Sequence, residues 1–131
     1  MTTWHDAEEL VKAYLKASPL ITDEVQGRVF YSTPAGEPTY PLITLSEVSG
    51  VADAATGETQ RISFDCWGRN KAEASDVKLT LLEVLHDMVG KQLDEDARCA
   101  GISNVFTTFL RDPELPLCRY VVDADVFVLT F

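Results

Sequence analysis

Apolar positions change period along this chain, from helical spacing near its start to strict alternation at its end. Leu10, Val11, Tyr14 and Leu15 recur as one face of a helix over 6–17. Asp6 and Glu9 are placed as its capping box, and Ser18-Pro19 as its stop. A short helical turn is expected over 22–25, closed by Gly27, and then a brief strand, Val29-Phe30-Tyr31. Turn residues make 32–38 a loop, strand character resumes over 40–49, and the small, polar stretch 50–60 reads as a second, flexible loop. Residues 61–68 alternate cleanly, with Ile62, Phe64 and Cys66 on one side and Arg61, Ser63, Asp65 and Trp67 on the other. The strongest helix is 71–89, where Val77, Leu81, Val84, Leu85 and Met88 form an apolar stripe ended by Gly90. A polar stretch through Gly101 leads into a strand over 102–110; Asp112-Pro113 turns the chain into a last strand over 119–131.

These elements predict a single domain, 1–131, of the α+β class. The expected architecture is an antiparallel sheet of four to five strands with two principal helices packed on one face. In the last strand Tyr120, Val122, Ala124, Val126 and Val128 share one side and should meet the helices. Val121, Asp123, Asp125, Phe127, Leu129 and Phe131 share the other, as Asp65 and Trp67 do on the strand 61–68. That second face is too apolar for plain solvent and too charged for a core. It reads as a contact surface for another chain, with Asp65, Trp67, Asp123, Asp125 and Phe127 as its candidate residues.

Composition narrows the function classes. The chain has 131 residues, enough to bury a core without a metal or disulfide staple. Eleven Lys and Arg stand against 21 Asp and Glu, a formal net charge of −10, which argues against a cationic surface for DNA or anionic lipid. No apolar run is long enough to span a membrane, and the first residues lack the basic start and apolar run of a secretory signal, so the expectation is a chain made in the cytoplasm. Cys66, Cys99 and Cys118 are odd in number and widely spaced, as expected of buried, reduced thiols rather than a disulfide framework or zinc site.

Candidate chemistry is sparse. No phosphate-binding loop, dinucleotide fingerprint, zinc-protease helix, calcium loop or nucleophile elbow is present. Glu83 and His86 make one E-x-x-H, whereas a di-iron bundle needs two such motifs and two further carboxylates; an exposed helical pair is the simpler reading. Asp123 and Asp125 point the same way roughly 7 Å apart by strand geometry. Paired carboxylates can divide acid and base work, but they serve equally well to meet a partner's cations, and no histidine is placed beside them. No catalytic, metal or cofactor residues are assigned.

The order of features resembles the tail-completion, or tail terminator, proteins of long-tailed bacteriophages and prophages. The likeness is carried by the first helix ending at Ala17-Ser18-Pro19-Leu20, and by Gly27-Arg28-Val29-Phe30 entering a Pro-rich loop before Tyr40-Pro41-Leu42-Ile43-Thr44-Leu45. Its most telling part is Ile62-Ser63-Phe64-Asp65-Cys66-Trp67-Gly68 running into Asn70-Lys71-Ala72-Glu73-Ala74; Arg111-Asp112-Pro113 and Arg119-Tyr120 close it. The stretch 90–101 matches nothing in that pattern.

The resemblance implies a structural virion protein without enzymatic activity or cofactor. It implies assembly of the chain with itself as a ring, commonly a hexamer, on the head-proximal end of the tail. That ring stops polymerisation of the tail tube protein and offers the surface that a head-completion or connector protein joins, while DNA passes through its lumen without specific binding. Membranes have no part in this. Within that picture the acidic loop 50–60, with Asp53 and Glu58, is a candidate for reaching the lumen or a partner ring. The alternatives are another ring-forming neck component, a head-closure or adaptor protein, and a small acidic protein that binds a host factor.

Overall fold

Asp6 opens the first helix as the capping box predicts, its carboxylate accepting the Glu9 backbone N–H at 3.3 Å; α1 spans Ala7–Ala17. Ser18 then serves two helices. Its N–H donates to the Leu15 carbonyl at 3.1 Å, ending α1, and its hydroxyl accepts the Ile21 N–H at 3.5 Å, opening α2, Pro19–Val25. The proline that stops one helix stands in the first turn of the next, where its missing N–H costs nothing. The expected turn at 22–25 is therefore a full seven-residue helix.

The structure, a computed structural model, describes residues 6–32, 36–53, 57–111 and 117–130. Its strands are β1 (Val29–Phe30), β2 (Leu42–Asp53), β3 (Gly57–Gly68), β4 (Gln92–Asp94), β5 (Ala97–Arg111) and β6 (Cys118–Thr130), with α3 (Lys71–Met88) between β3 and β4. They form one six-stranded sheet in the order β1-β2-β3-β6-β5-β4. The α+β class holds, but the sheet is larger than four to five strands and is mixed. β1 runs parallel to β2, pairing Val29 with Ile43 and Phe30 with Thr44, because the long connection between them carries the chain back before β2 begins. All other neighbours are antiparallel.

One predicted loop and one unassigned stretch are strands. Most of 50–60 continues the β2–β3 ladder, with Gly50 opposite Gln60 and Asp53 opposite Gly57. Small residues hide the pairing because the backbone, not a side-chain pattern, holds it. Gly57, at φ +120°, passes so near β6 that a Cβ there would stand 2.2 Å from the Val128 carbonyl oxygen. The stretch 90–101 likewise folds into the β4–β5 hairpin. Gly90 turns out of α3 at φ +86°, its N–H donating to the Cys99 carbonyl at 2.7 Å, and the Cys99 N–H returns to the Lys91 carbonyl at 2.9 Å. The predicted turn at 112–113 and position 131 lie outside the described residues.

The three helices cover one sheet face. Val11 and Leu15 of α1, Ile21 and Val25 of α2, and Val77, Leu81, Leu85 and Met88 of α3 close over Ile43, Leu45, Ile62, Phe64, Cys66, Val122, Ala124, Val126 and Val128. The even positions of 61–68 and of 119–131 thus face the core, as the alternation predicts, with Tyr120 packed at its margin. Cys66, Cys99 and Cys118 are all buried free thiols. Asn70 caps α3 by accepting the Glu73 N–H at 2.8 Å, while the Glu73 carboxylate takes the Arg69 N–H at 3.0 Å and its guanidinium at 2.6 Å. Among the described residues no helix is long and apolar enough to cross a membrane.

Candidate functional site

The sheet face away from the helices is built by the odd positions of β3 and β6. Antiparallel register sets Arg61 opposite Asp125, Ser63 opposite Asp123, Asp65 opposite Val121 and Trp67 opposite Arg119. Each of these side chains is half-buried, neither sealed in a core nor open to water. Strand alternation alone brings Asp65, Trp67, Asp123, Asp125 and Phe127 to this one face.

Two polar clusters organise it. In the first, the Arg119 guanidinium lies 4.9 Å from the Trp67 ring centre and reaches the Asp65 carboxylate at 3.6 Å. The Trp67 indole N–H donates to the Thr44 hydroxyl at 3.2 Å, and that hydroxyl donates to Asp65 at 3.3 Å. Tyr40 packs against Trp67 with ring centres 6.5 Å apart. Burial pushes the Asp65 carboxyl above its ordinary value; Arg119 and Thr44 oppose the shift, and the nearby Asp123 adds to it.

In the second cluster Arg61 meets Asp125 at 3.1 Å, and Asn104 donates its amide N–H to the other Asp125 oxygen at 2.8 Å. The Asn104 bond, with Arg61 behind it, holds the Asp125 carboxyl below its ordinary range. Asn104 gets there through a bulge: β5 shifts register between Ser103 and Phe106, and Asn104 adopts φ +51°. The same bulge sets the Phe106 ring 5.7 Å from the Arg61 guanidinium. Asp123, between the clusters, makes no ion pair among the described residues.

The two remaining candidates lie elsewhere. Asp53 ends β2 at the β2–β3 hairpin. Glu58 is not on a loop: it stands in β3, 6% exposed, where Gln60 donates to its carboxylate at 3.4 Å and accepts the Glu8 N–H of α1 at 3.2 Å. The sequence reading missed Thr44, Asn104 and Phe106. Thr44 is a lone hydroxyl inside an apolar strand, and the other two become part of the face only through the bulge. The break in alternation across Ser103-Asn104-Val105-Phe106 is the one signal that marked it.

Chemically this face presents two internally matched ion pairs flanked by aromatic rings. Covering it would strand few charges, which suits burial against a protein partner. Its one hydroxyl hydrogen-bonded to a carboxylate among the described residues, Thr44 with Asp65, is occupied by the Trp67 indole and the Arg119 guanidinium. Among the described residues no group of His, Cys, Asp and Glu is placed to hold a metal ion, and Glu83 and His86 are both exposed on α3. A cleft of about 410 Å³ between the helices, lined by Tyr14, Pro19, Leu20, Val84, Asp87 and Lys91, is likewise without a catalytic arrangement.

Residues 9–129 match a family described as tail completion protein gp17. A chain from the virion of a native gene transfer agent particle is similar in fold, with a TM-score of 0.69 and 17% identity over 93% of each chain. No curated protein matches the sequence.

Proposed function

Because the chain belongs to the phage tail completion gp17 family, whose members are structural rather than enzymatic, we propose that it closes a phage tail by forming a ring on the tube's head-proximal end. In this reading the ring, six-fold in the simplest case, stops addition of tail tube subunits and presents its far side to a head-completion or connector protein. The chain is assembled in the host cytoplasm and kept in the virion. The fold shared with a chain of the gene transfer agent virion supports a place in such a particle.

The observation that carries the proposal is the sheet face opposite the helices. Trp67 and Phe127 offer apolar contact area, while Asp65 with Arg119 and Asp125 with Arg61 are already neutralised on the chain itself. Such a face can be covered without leaving bare ions behind. Asp123 remains to meet a partner's cation, and the hairpin ending in Asp53 extends toward a lumen or a neighbouring ring.

Charge fits the passage of DNA. A ring multiplies a formal charge of −10 per chain, and an acidic channel would not hold phosphates in transit as a basic one would. The test is to size the protein by native mass spectrometry, alone and with purified tail tubes, and to image tails from cells lacking it. A discrete ring and over-long tubes are expected. A monomer in both samples with tubes of ordinary length would overturn the proposal.

A further inference from the structure

The two edges of the sheet are unlike the rest of the molecule. On the outer side of β5, β4 pairs only with Ala97 and Arg98, and the last bonds go to Cys99. Beyond that point, residues 101–111 pair with β6 on their inner side and have no strand on the outer side among the described residues. At the opposite edge β1 covers only Ile43 and Thr44 of β2. The Glu8 carboxylate caps the Glu47 N–H, and from Val48 to the end of β2 no strand lies on the outer side among the described residues. Exposed large apolar residues mark both edges: Val48 at 61% and Phe106 at 60% exposure, with Val105 and Leu110 beside the latter. Long open edges of this kind invite pairing, and natural chains leave them open where pairing is used.

The edges also match one another. In a chain with net charge −10, the open stretch of β5 carries Arg111 and no carboxylate, whereas β2 contains Glu47 and Asp53 and no cation. Strand direction alternates from β2 through β3 and β6 to β5, so β5 runs opposite to β2. Rotating a copy about an axis along the strands brings its β2 against the first copy's β5 in antiparallel sense, with the Arg111 end toward Glu47. A contact of this head-to-tail kind uses two different surfaces and closes into a ring when the rotation allows.

We propose that the open edge of β5 pairs with the open edge of β2 in a second copy of this chain, so that the ring closes as one continuous sheet. The inference rests on the ring reading above and names the joint that would make it. The face bearing Trp67 and Phe127 is then left free for the tube or the connector.

Disulfide trapping tests it. Val48→Cys is combined in turn with Val105→Cys, Phe106→Cys and Thr107→Cys, and the full-length protein is oxidised alone and on tail tubes. Within one chain β2 and β5 are three strand spacings apart, about 14 Å, too far for a disulfide. The native thiols are buried. At least one combination should give a covalent ladder up to the closed ring on a non-reducing gel, while each single variant stays monomeric. Dimers from Phe106→Cys alone would mean a two-fold edge contact and overturn the proposal. So would the absence of a ladder in every combination while the unmodified chain forms rings by native mass spectrometry, which leaves the ring reading intact. If the unmodified chain forms no ring on tubes, the ring reading fails and the edge pairing with it.

Discussion

Trp67 is fixed by Thr44: the indole N–H donates to that hydroxyl at 3.2 Å, from the cross-strand neighbour of Asp65. A large ring on a half-buried surface is thereby held in one orientation, with Arg119 stacked above it at 4.9 Å. Rigid aromatics of this kind make good anchors, because little side-chain freedom is lost when a partner covers them.

Trp67→Ala is expected to leave a folded protein that no longer supports tail assembly. The lost hydrogen bond and cation–π contact should cost about 1–2 kcal/mol in thermal stability. Circular dichroism melting reads the first effect and electron microscopy of lysates the second. Normal tails from the variant would put the working surface elsewhere.

Phe64→Ala should act through the core instead. Phe64 of β3 is fully buried on the sheet face under the helix layer, and truncating such a ring costs about 3–5 kcal/mol. Urea unfolding should show a large drop in midpoint, in contrast to the small change at Trp67.

The two aspartates should respond oppositely to pH. Asp65 has a raised folded-state pKa, so the stability it contributes is fully present below its unfolded pKa and is lost as pH rises through the folded one. Asp65→Asn should therefore gain on the unmodified protein as pH climbs through the carboxylate range. Asp125 is lowered, so its contribution is present above the unfolded pKa and is lost as pH falls through the folded value. Asp125→Asn should be most damaging near neutrality and nearly silent in acid. Urea midpoints measured from acid to neutral pH decide both.

Two glycines separate backbone strain from collision. Both have positive φ, but a Cβ at Gly90 meets nothing within 4 Å whereas one at Gly57 meets the Val128 carbonyl. Gly90→Ala should cost about 1 kcal/mol for strain alone. Gly57→Ala should cost several times that, on the order of 3 kcal/mol or more, because β3 and β6 must part. Equal melting temperatures for the two variants would contradict the close approach.

Asp53→Lys probes the hairpin. A double change with Glu58→Lys would confound the result, since Glu58 is buried and a lysine there would unfold the edge of the core. The single variant should melt normally and slow docking or DNA ejection, measured as virion yield and ejection rate. Wild-type behaviour in both would free this hairpin of any part in the charge argument.

Side-chain periodicity made the central strands and α3 legible, because Ile62, Phe64 and Cys66 alternate with Arg61, Ser63 and Asp65 and each face has one fate. The same alternation brought Asp65, Trp67, Asp123, Asp125 and Phe127 together on paper. What it missed is held by the backbone. The ribbon around Gly50 and Gln60 pairs through N–H and C=O groups that leave no apolar signature. Ala97 and Cys99 point inward but are too small to announce it between charged neighbours. The Asn104 bulge shifts register, and only a register can show which residues it adds to a face. The short strand at Val29-Phe30 was legible, but its parallel pairing was not, because two residues cannot encode a direction.

The three sealed thiols bear on how such a particle ages. Inside a cell, reductants repair oxidised sulfur; a released virion carries none with it and meets air. Burial drives the Cys66 and Cys99 thiols up, away from the thiolate form that peroxide and disulfides attack. If the chain is built into such a particle, its three cysteines present no exposed thiol for weathering, and their durability follows folding stability.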